Sequence, residues 1–151
     1  MIVALASDHA GFTLKQELVA FVRGLGHTVT DLGTDSTASC DYPDFAEKIA
    51  VEILSGRAEK GILLCGSGVG ASVAANKIPG IRAGNCEDYY SAHQGVEHDA
   101  MNVLVLGGRI VGGALAQDMV RAYLDAKYTN EERHARRLAK VKAIEARYSR
   151  S

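Results

Sequence analysis

Lys60-Gly61-Ile62-Leu63-Leu64-Cys65 is a short apolar run that passes straight into Gly66-Ser67-Gly68-Val69-Gly70, with the helix-forming stretch Ala71 to Lys77 next. A run of that length and composition reads as a strand buried on both faces, and a strand that turns through glycines into a helix is one βα unit of a parallel sheet. The same alternation extends outward from it. Upstream, Ile2 to Ala6 is a second apolar run, followed by Leu14, Leu18, Phe21, Val22 and Leu25 at helical spacing, with Gly24 and Gly26 as terminators. Thr28 to Leu32 returns as a strand, and Asp41-Tyr42-Pro43-Asp44 supplies a turn and an N-cap candidate for a helix carrying Phe45, Ile49 and Ile53. Downstream come a strand at Ile81 to Gly84, a helix around Tyr89 to Glu97, a strand at Asn102 to Leu106, and a helix carrying Leu115, Met119, Tyr123 and Leu124. Strands alternating with helices in this way predict an α/β fold: a mostly parallel sheet covered by helices on both faces, with ligands taken at the carboxyl ends of the strands.

The chain has 151 residues, 47% of them hydrophobic, which predicts one domain over residues 1–151. Lys+Arg 17 against Asp+Glu 18 leaves a formal charge of −1, so no global field draws it to nucleic acid or to an anionic membrane. No apolar run approaches the roughly 18 residues of a membrane span, and MIVALASDHAGF lacks the basic start of a signal peptide. A cytoplasmic location is expected. Three cysteines without CxxC spacing argue against a disulfide framework or a zinc ribbon. From Thr129 the composition turns to TNEERHARRLAKVKAIEARYS, where Thr129 and Glu132 form a capping-box pattern and Leu138, Val141 and Ile144 a thin apolar stripe. This predicts a terminal helix over about 130–149, packed on the edge of its own domain or across a subunit contact.

The strand ends predicted on one rim are Ser7-Asp8-His9, Cys65 to Gly70, and Gly107-Gly108-Arg109. A glycine-rich turn into a helix leaves backbone N–H groups without intrahelical partners, so this loop reads as an anion cradle. Cys65 stands beside that helix start, a setting that can lower a thiol from about 8.5 into the range 3.5–7.5. His9 follows the first strand, and His98 with Asp99 precedes the strand at Asn102, so both histidines are placed within reach of the rim. Arg133 and Arg137, four apart, share a helix face as a two-pronged phosphate clamp, and Arg109 is a further phosphate candidate. Cys86, His93, His98 and Asp8 match no zinc spacing, and no metal is predicted. Ser67 does not stand in G-x-S-x-G, and Cys65 lacks the arginine of a Cys-x5-Arg loop. Gly66-Ser67-Gly68-Val69-Gly70-Ala71 does fit G-x-G-x-x-G/A, with Glu87 and Asp88 downstream, so a nucleotide-binding module is the alternative class. Its context is wrong for that, since the loop belongs to a later βα unit.

SDHAGF, DYPDFA, GILLCGSGVGASVAANKIPGIRA, HDAMNVLVLGGR and RHARR together resemble the ribose-5-phosphate isomerase B family, which also includes galactose-6-phosphate isomerase subunits; the likeness runs from Met1 to the terminal helix. The resemblance implies a Rossmann-like three-layer α/β/α sandwich on a five-stranded sheet, and aldose–ketose isomerisation of a phosphorylated sugar with no cofactor and no metal. Carried over, Cys65 is the base, the N–H groups from Gly66 through Ser67, Gly68 and Val69 to Gly70 hold the enediolate, and Ser67 stands where many members have threonine and relays a proton. His98 opens the furanose ring as an acid, Asp8 binds sugar hydroxyls, and His9, Arg109, Arg133 and Arg137 surround the phosphate. Asp99 departs from the asparagine common in ribose-5-phosphate isomerases. An ionised carboxylate only accepts hydrogen bonds, so the departure bears on the choice among ribose 5-phosphate, allose 6-phosphate, galactose 6-phosphate and a tetrose phosphate. The resemblance further implies a homodimer or homotetramer with shared sites, Cys65 and the cradle of one chain facing His98 and Arg109 of another.

Overall fold

The computed structural model describes residues 1–149. Along the chain lie β1 (Ile2–Ser7), a 3-10 turn (His9–Gly11), α1 (Phe12–Gly24), β2 (Thr28–Asp31), α2 (Tyr42–Leu54), β3 (Lys60–Cys65), α3 (Val69–Ala75), β4 (Ala83–Asn85), α4 (Tyr89–Asp99), β5 (Val103–Gly107), α5 (Gly113–Asp125) and α6 (Glu132–Tyr148). The strands form one sheet in the order β2-β1-β3-β5-β4, every pairing parallel. Parallel strands need crossovers, and the helices between them supply these.

Successive residues of a strand face opposite sides, so a sheet buried on both faces needs two apolar sets per strand. Val3, Leu5, Ile62, Leu64, Leu104 and Leu106 form one set, packed against α1, α4 and α5. The other set is smaller at the sheet centre: Ala4, Ala6, Leu63, Cys65, Val103 and Val105 meet α2 and α3 through Ala46, Ala50, Ala71 and Ala75. Small side chains on both partners bring α3 close to the sheet, and Cys65 lies on that close-packed side. This is a Rossmann-like α/β/α arrangement.

One direction shared by all strands gives the sheet two unlike rims. The carboxyl rim carries the residues after Ser7, Cys65, Asn85 and Gly107. Each crossover helix starts near it and ends at the amino rim, where Asn102 accepts from the Gly61 N–H at 2.9 Å and donates to the Arg82 carbonyl at 3.0 Å. Element boundaries move by one to three residues from the sequence expectation. The strand expected from Ile81 begins at Ala83, because the Arg82 N–H is taken by the Asn102 side chain at 2.8 Å and the Ile81 N–H by the Ile78 carbonyl.

The capping box expected at Thr129 and Glu132 does not form. Glu131 occupies the N-cap of α6 without a side-chain bond, and Thr129 instead donates its N–H at 3.1 Å and its hydroxyl at 3.2 Å to the Glu97 carbonyl. That carbonyl is in the last turn of α4 and lacks an intrahelical partner, so it competes successfully for the threonine. Asp41 similarly stands at the N-cap of α2, with Pro43 in the first turn, but makes no side-chain cap bond. The apolar stripe of α6 stays largely uncovered: Val141 is 50% and Ile144 53% exposed.

Lys60 ties the amino rim together. Its ammonium donates to the carbonyls of Tyr123 at 2.7 Å and Ala126 at 2.9 Å, satisfying the end of α5 from which α6 hangs. Burial lowers this ammonium to about 8, with Asp125 and Glu59 pulling the other way. Lys60→Met is expected to cost about 1–3 kcal/mol, because buried carbonyls lose their donor. Between pH 8 and the ordinary lysine range the unfolded chain holds a proton that the folded protein has released, so wild-type stability rises relative to the variant as pH is raised there. Urea denaturation of both proteins at pH 7, 8, 9 and 10 measures the cost and its trend.

Candidate active site

Asp8, Tyr42, Cys65, Gly66, Ser67, Gly70, Arg109 and Ile110 line a pocket of about 360 Å³ at the carboxyl rim. Asp8 follows β1 at once and is buried; its Oδ1 accepts from the N–H groups of Ala10 at 3.0 Å and Gly11 at 3.2 Å, capping the 3-10 turn that leads into α1. The carboxylate is thus fixed by the turn that it creates. Next to it, His9 Nδ1 accepts from the Cys40 N–H at 3.2 Å.

Cys65 ends β3 and is 4% exposed. Its sulfur accepts from the Gly68 N–H at 3.2 Å. Gly68 has φ +85°, and a Cβ there would meet the Asn85 amide at 2.4 Å, so the loop needs glycine at this position for both reasons. The Val69 N–H goes to Ser67 Oγ at 3.2 Å. Two of the five N–H groups expected to form an anion cradle are therefore used inside the loop, one of them on the thiol itself. The loop is anchored to the turn after β5 by the bonds Gly108 N–H to Cys65 O at 2.8 Å and Arg109 N–H to Gly66 O at 2.9 Å.

The sequence pattern of the ribose/galactose isomerase family matches residues 3–141. Ribose-5-phosphate isomerase B of Escherichia coli K12 is 45% identical over 145 residues, covering 96% of this chain and 97% of the relative. D-erythrulose-4-phosphate isomerase of Pectobacterium atrosepticum is 39% identical over 127 residues, 83% of this chain and 84% of that protein. The solved structure of ribose-5-phosphate isomerase B from Clostridium thermocellum superposes with a TM-score of 0.96 at 45% identity, covering 99% of this chain and 100% of that one. The chain belongs to the ribose/galactose isomerase family. It is an aldose–ketose isomerase of phosphorylated sugars.

Within this isomerase fold, the remaining residues singled out from the sequence divide between the rims. The strand ends place Arg109 on the rim of Cys65, whereas the resemblance places it opposite Cys65 from another chain; it lies in the Cys65 pocket of its own chain, with Nη1 3.3 Å from where a Gly66 Cβ would be. His98, placed by the sequence within reach of the carboxyl rim, does not reach that of its own chain. It closes α4, and a crossover helix that starts at the carboxyl rim ends at the amino rim; the four residue steps from Gly61 to Cys65 alone span about 13 Å. Asp99 is exposed beside it. His98 stacks on His134 of α6 with ring centroids 3.9 Å apart and planes at 19°. Arg133 and Arg137 flank this pair on α6, both exposed. Burial, then His98 and Arg133, push the His134 imidazole below its ordinary value.

Among the described residues, Asp8, Cys86, His93 and His98 form no common cluster. Cys86 is buried under α4, its thiol pushed up to about 11 by burial first and Asp88 second, which suits an inert core residue. His93 pairs with Glu97 one turn along the helix. Tyr42, Gln94 and the Cys40 N–H were not singled out from the sequence as parts of these clusters. Tyr42 packs on Gly70 and Gln94 on His98. The first contact joins α2 to α3 and is invisible in local pattern; the i to i+4 spacing of Gln94 and His98 was the one available signal.

Gly107→Ala and Gly70→Ala test how the loop is held. A Cβ at Gly107 would meet the backbone carbon and oxygen of Ser67 at 2.7 Å, whereas at Gly70 it would meet the ring of the exposed Tyr42 at 2.7 Å, which can swing away. We expect Gly107→Ala to lower kcat/KM at least tenfold more than Gly70→Ala, since small displacements of positioning groups cost about 10²-fold. Steady-state kinetics of the two purified variants, with circular dichroism to confirm folding, make the comparison.

Proposed function

We propose that this isomerase interconverts ribose 5-phosphate and ribulose 5-phosphate without a cofactor, with Cys65 as the base. The supporting observation is the buried Cys65 sulfur, oriented by the Gly68 N–H, in a pocket that it shares with Asp8, Ser67 and Arg109. Cys65 removes the proton from C2 of the open-chain aldose and returns it to C1, while a proton moves from the C2 hydroxyl to the C1 oxygen; the net reaction consumes no oxidant. Ser67 relays that proton, and the N–H groups of the loop stabilise the enediolate oxygens, where each aimed donor is worth on the order of 10²–10³ in rate. Asp8, which spends Oδ1 on backbone N–H groups, takes a sugar hydroxyl with Oδ2. His9 and Arg109 face the phosphate from the same rim.

His98, Asp99, Arg133 and Arg137 complete the site from the amino rim of a second copy, in a homodimer or a homotetramer built from it. The pocket mouth suits such a contact: Val69, Val73 and Ile110 beside it are 58%, 56% and 56% exposed, an apolar fringe that association would bury. With no nucleic-acid or membrane partner in this reading, a phosphorylated sugar substrate and free thiols fit the cytoplasm; among the described residues no helix is long and apolar enough to cross a membrane.

Asp99 makes the sugar the point to measure. Purified enzyme offered ribose 5-phosphate, allose 6-phosphate, galactose 6-phosphate and a tetrose 4-phosphate is expected to turn over ribose 5-phosphate with the highest kcat/KM. Cys65→Ala is expected to abolish that turnover and to retain binding of the substrate by calorimetry. Preference for another sugar would move the specificity, and near-wild-type turnover by the variant would remove Cys65 from the chemistry.

The shared site has its own test. Cys65→Ala and His98→Ala are each expected to be inactive; mixed under conditions that exchange subunits, half the dimers pair one of each and regain one intact site of two. Activity should then approach roughly a quarter of wild type. Sites contained within one chain would recover nothing.

A further inference from the structure

His98 is held from two sides. Its Nδ1 lies 2.7 Å from Nε2 of Gln94, one turn earlier on α4. An amide NH2 group only donates, so with the Gln94 amide in this orientation Nδ1 receives the bond and the ring hydrogen belongs on Nε2. From the other side, His134 is 3% exposed and lies flat on the His98 ring. His134 is itself fixed, because Arg133 Nε donates to its Nε2 at 3.3 Å and leaves its hydrogen on Nδ1. The stack sets the plane of the His98 ring, and the Gln94 bond sets both its rotation and its tautomer.

We propose that Gln94 and His134 are positioning residues of this isomerase: they occupy Nδ1 and one face of His98, so that Nε2–H is the group offered to the ring oxygen of a furanose substrate. This rests on the reading of His98 as the ring-opening residue. Opening breaks the bond between C1 and the ring oxygen, which keeps the electron pair and takes the Nε2 proton, while the anomeric hydroxyl passes its own proton through water to the same nitrogen and becomes the carbonyl, so the imidazole ends neutral as it began. A donor already in place at the ring oxygen saves the step of reorienting or retautomerising an imidazole. The charged groups near the pair, Glu131, Arg133 and Arg137 on the α6 side and Glu97 and Asp99 on α4, all lie outside the Gln94–His98 bond.

The tautomer can be read without turnover. In ¹⁵N-histidine-labelled protein at alkaline pH, with the His98 signals identified by their loss in His98→Ala, wild type should show a bare Nδ1 and a protonated Nε2. Gln94→Glu replaces a donor with a carboxylate that only accepts, and should invert the pattern to a protonated Nδ1. The same variant should lose kcat for ribose 5-phosphate on the order of 10²-fold with KM little changed, the signature of a wrong tautomer in a proton-handling histidine. Should Gln94→Glu not fold, Gln94→Leu removes the bond and should give a mixture of tautomers. A wild-type ring with its hydrogen on Nδ1, or a tautomer unmoved by either substitution, overturns the proposal while leaving the isomerase reading intact. Wild-type enzyme that turns over no furanose sugar, with the expected tautomer present, overturns the ring-opening role instead.

Discussion

Every strand of the sheet points the same way, and the placement of chemistry in this protein depends on that. A parallel sheet sends all its carboxyl ends to one rim, and the crossover helices carry the chain back to the other. Asp8, Cys65 and Arg109 follow strands and share a pocket. His98 and Arg133 lie at or after helix ends and gather at the amino rim. No side-chain rotation crosses the sheet between them, so in a single chain the two groups of residues stay at opposite rims. The composite site proposed for the assembled enzyme is the arrangement that lets both halves act on one small sugar.

The two halves differ in how they are held. At the carboxyl rim, the loop after β3 is clamped by the turn after β5 through two backbone bonds and by Gly107 pressed against Ser67, and the sulfur of Cys65 takes a loop N–H. Positions fixed by close-packed backbone suit proton transfer, which tolerates little misplacement. At the amino rim, α6 is joined to the rest by a few polar contacts, among them Thr129 to the Glu97 carbonyl, Glu145 accepting from the Gly80 N–H, and the His98–His134 stack. Its arginines are exposed and their ion pairs with Glu131 and Glu132 are worth little in water. In the proposed site the exposed Arg137 and the guanidinium tip of Arg133 close on the phosphate, while Arg133 Nε stays on His134.

Features set by near neighbours in sequence were legible. The apolar runs gave the strands, the i to i+4 spacings gave the helices, and the run from Lys60 to Gly70 marked the central βα unit with the thiol at its end. Local pattern failed where two separated segments compete for one group. Thr129 had the spacing for a capping box, yet the Glu97 carbonyl, 32 residues away, outbid the helix for it. Gly68 and Val69 looked like free donors until the loop closed on Cys65 and Ser67.

By itself, the sequence determined the α/β alternation, the family and the chemical types present: a thiol, a carboxylate, histidines and arginines. The strand ends also placed Asp8, Cys65 and Arg109 on one rim, and the contacts between distant segments settled the rest: they put Tyr42 with Cys65, moved His98 to the far rim, and surrounded it with Gln94 and His134. The physical reason is that spacing along a chain fixes which face of an element a residue occupies, whereas the rim it reaches depends on the direction of the strand or helix that carries it, and that direction is set by pairings between strands far apart in sequence.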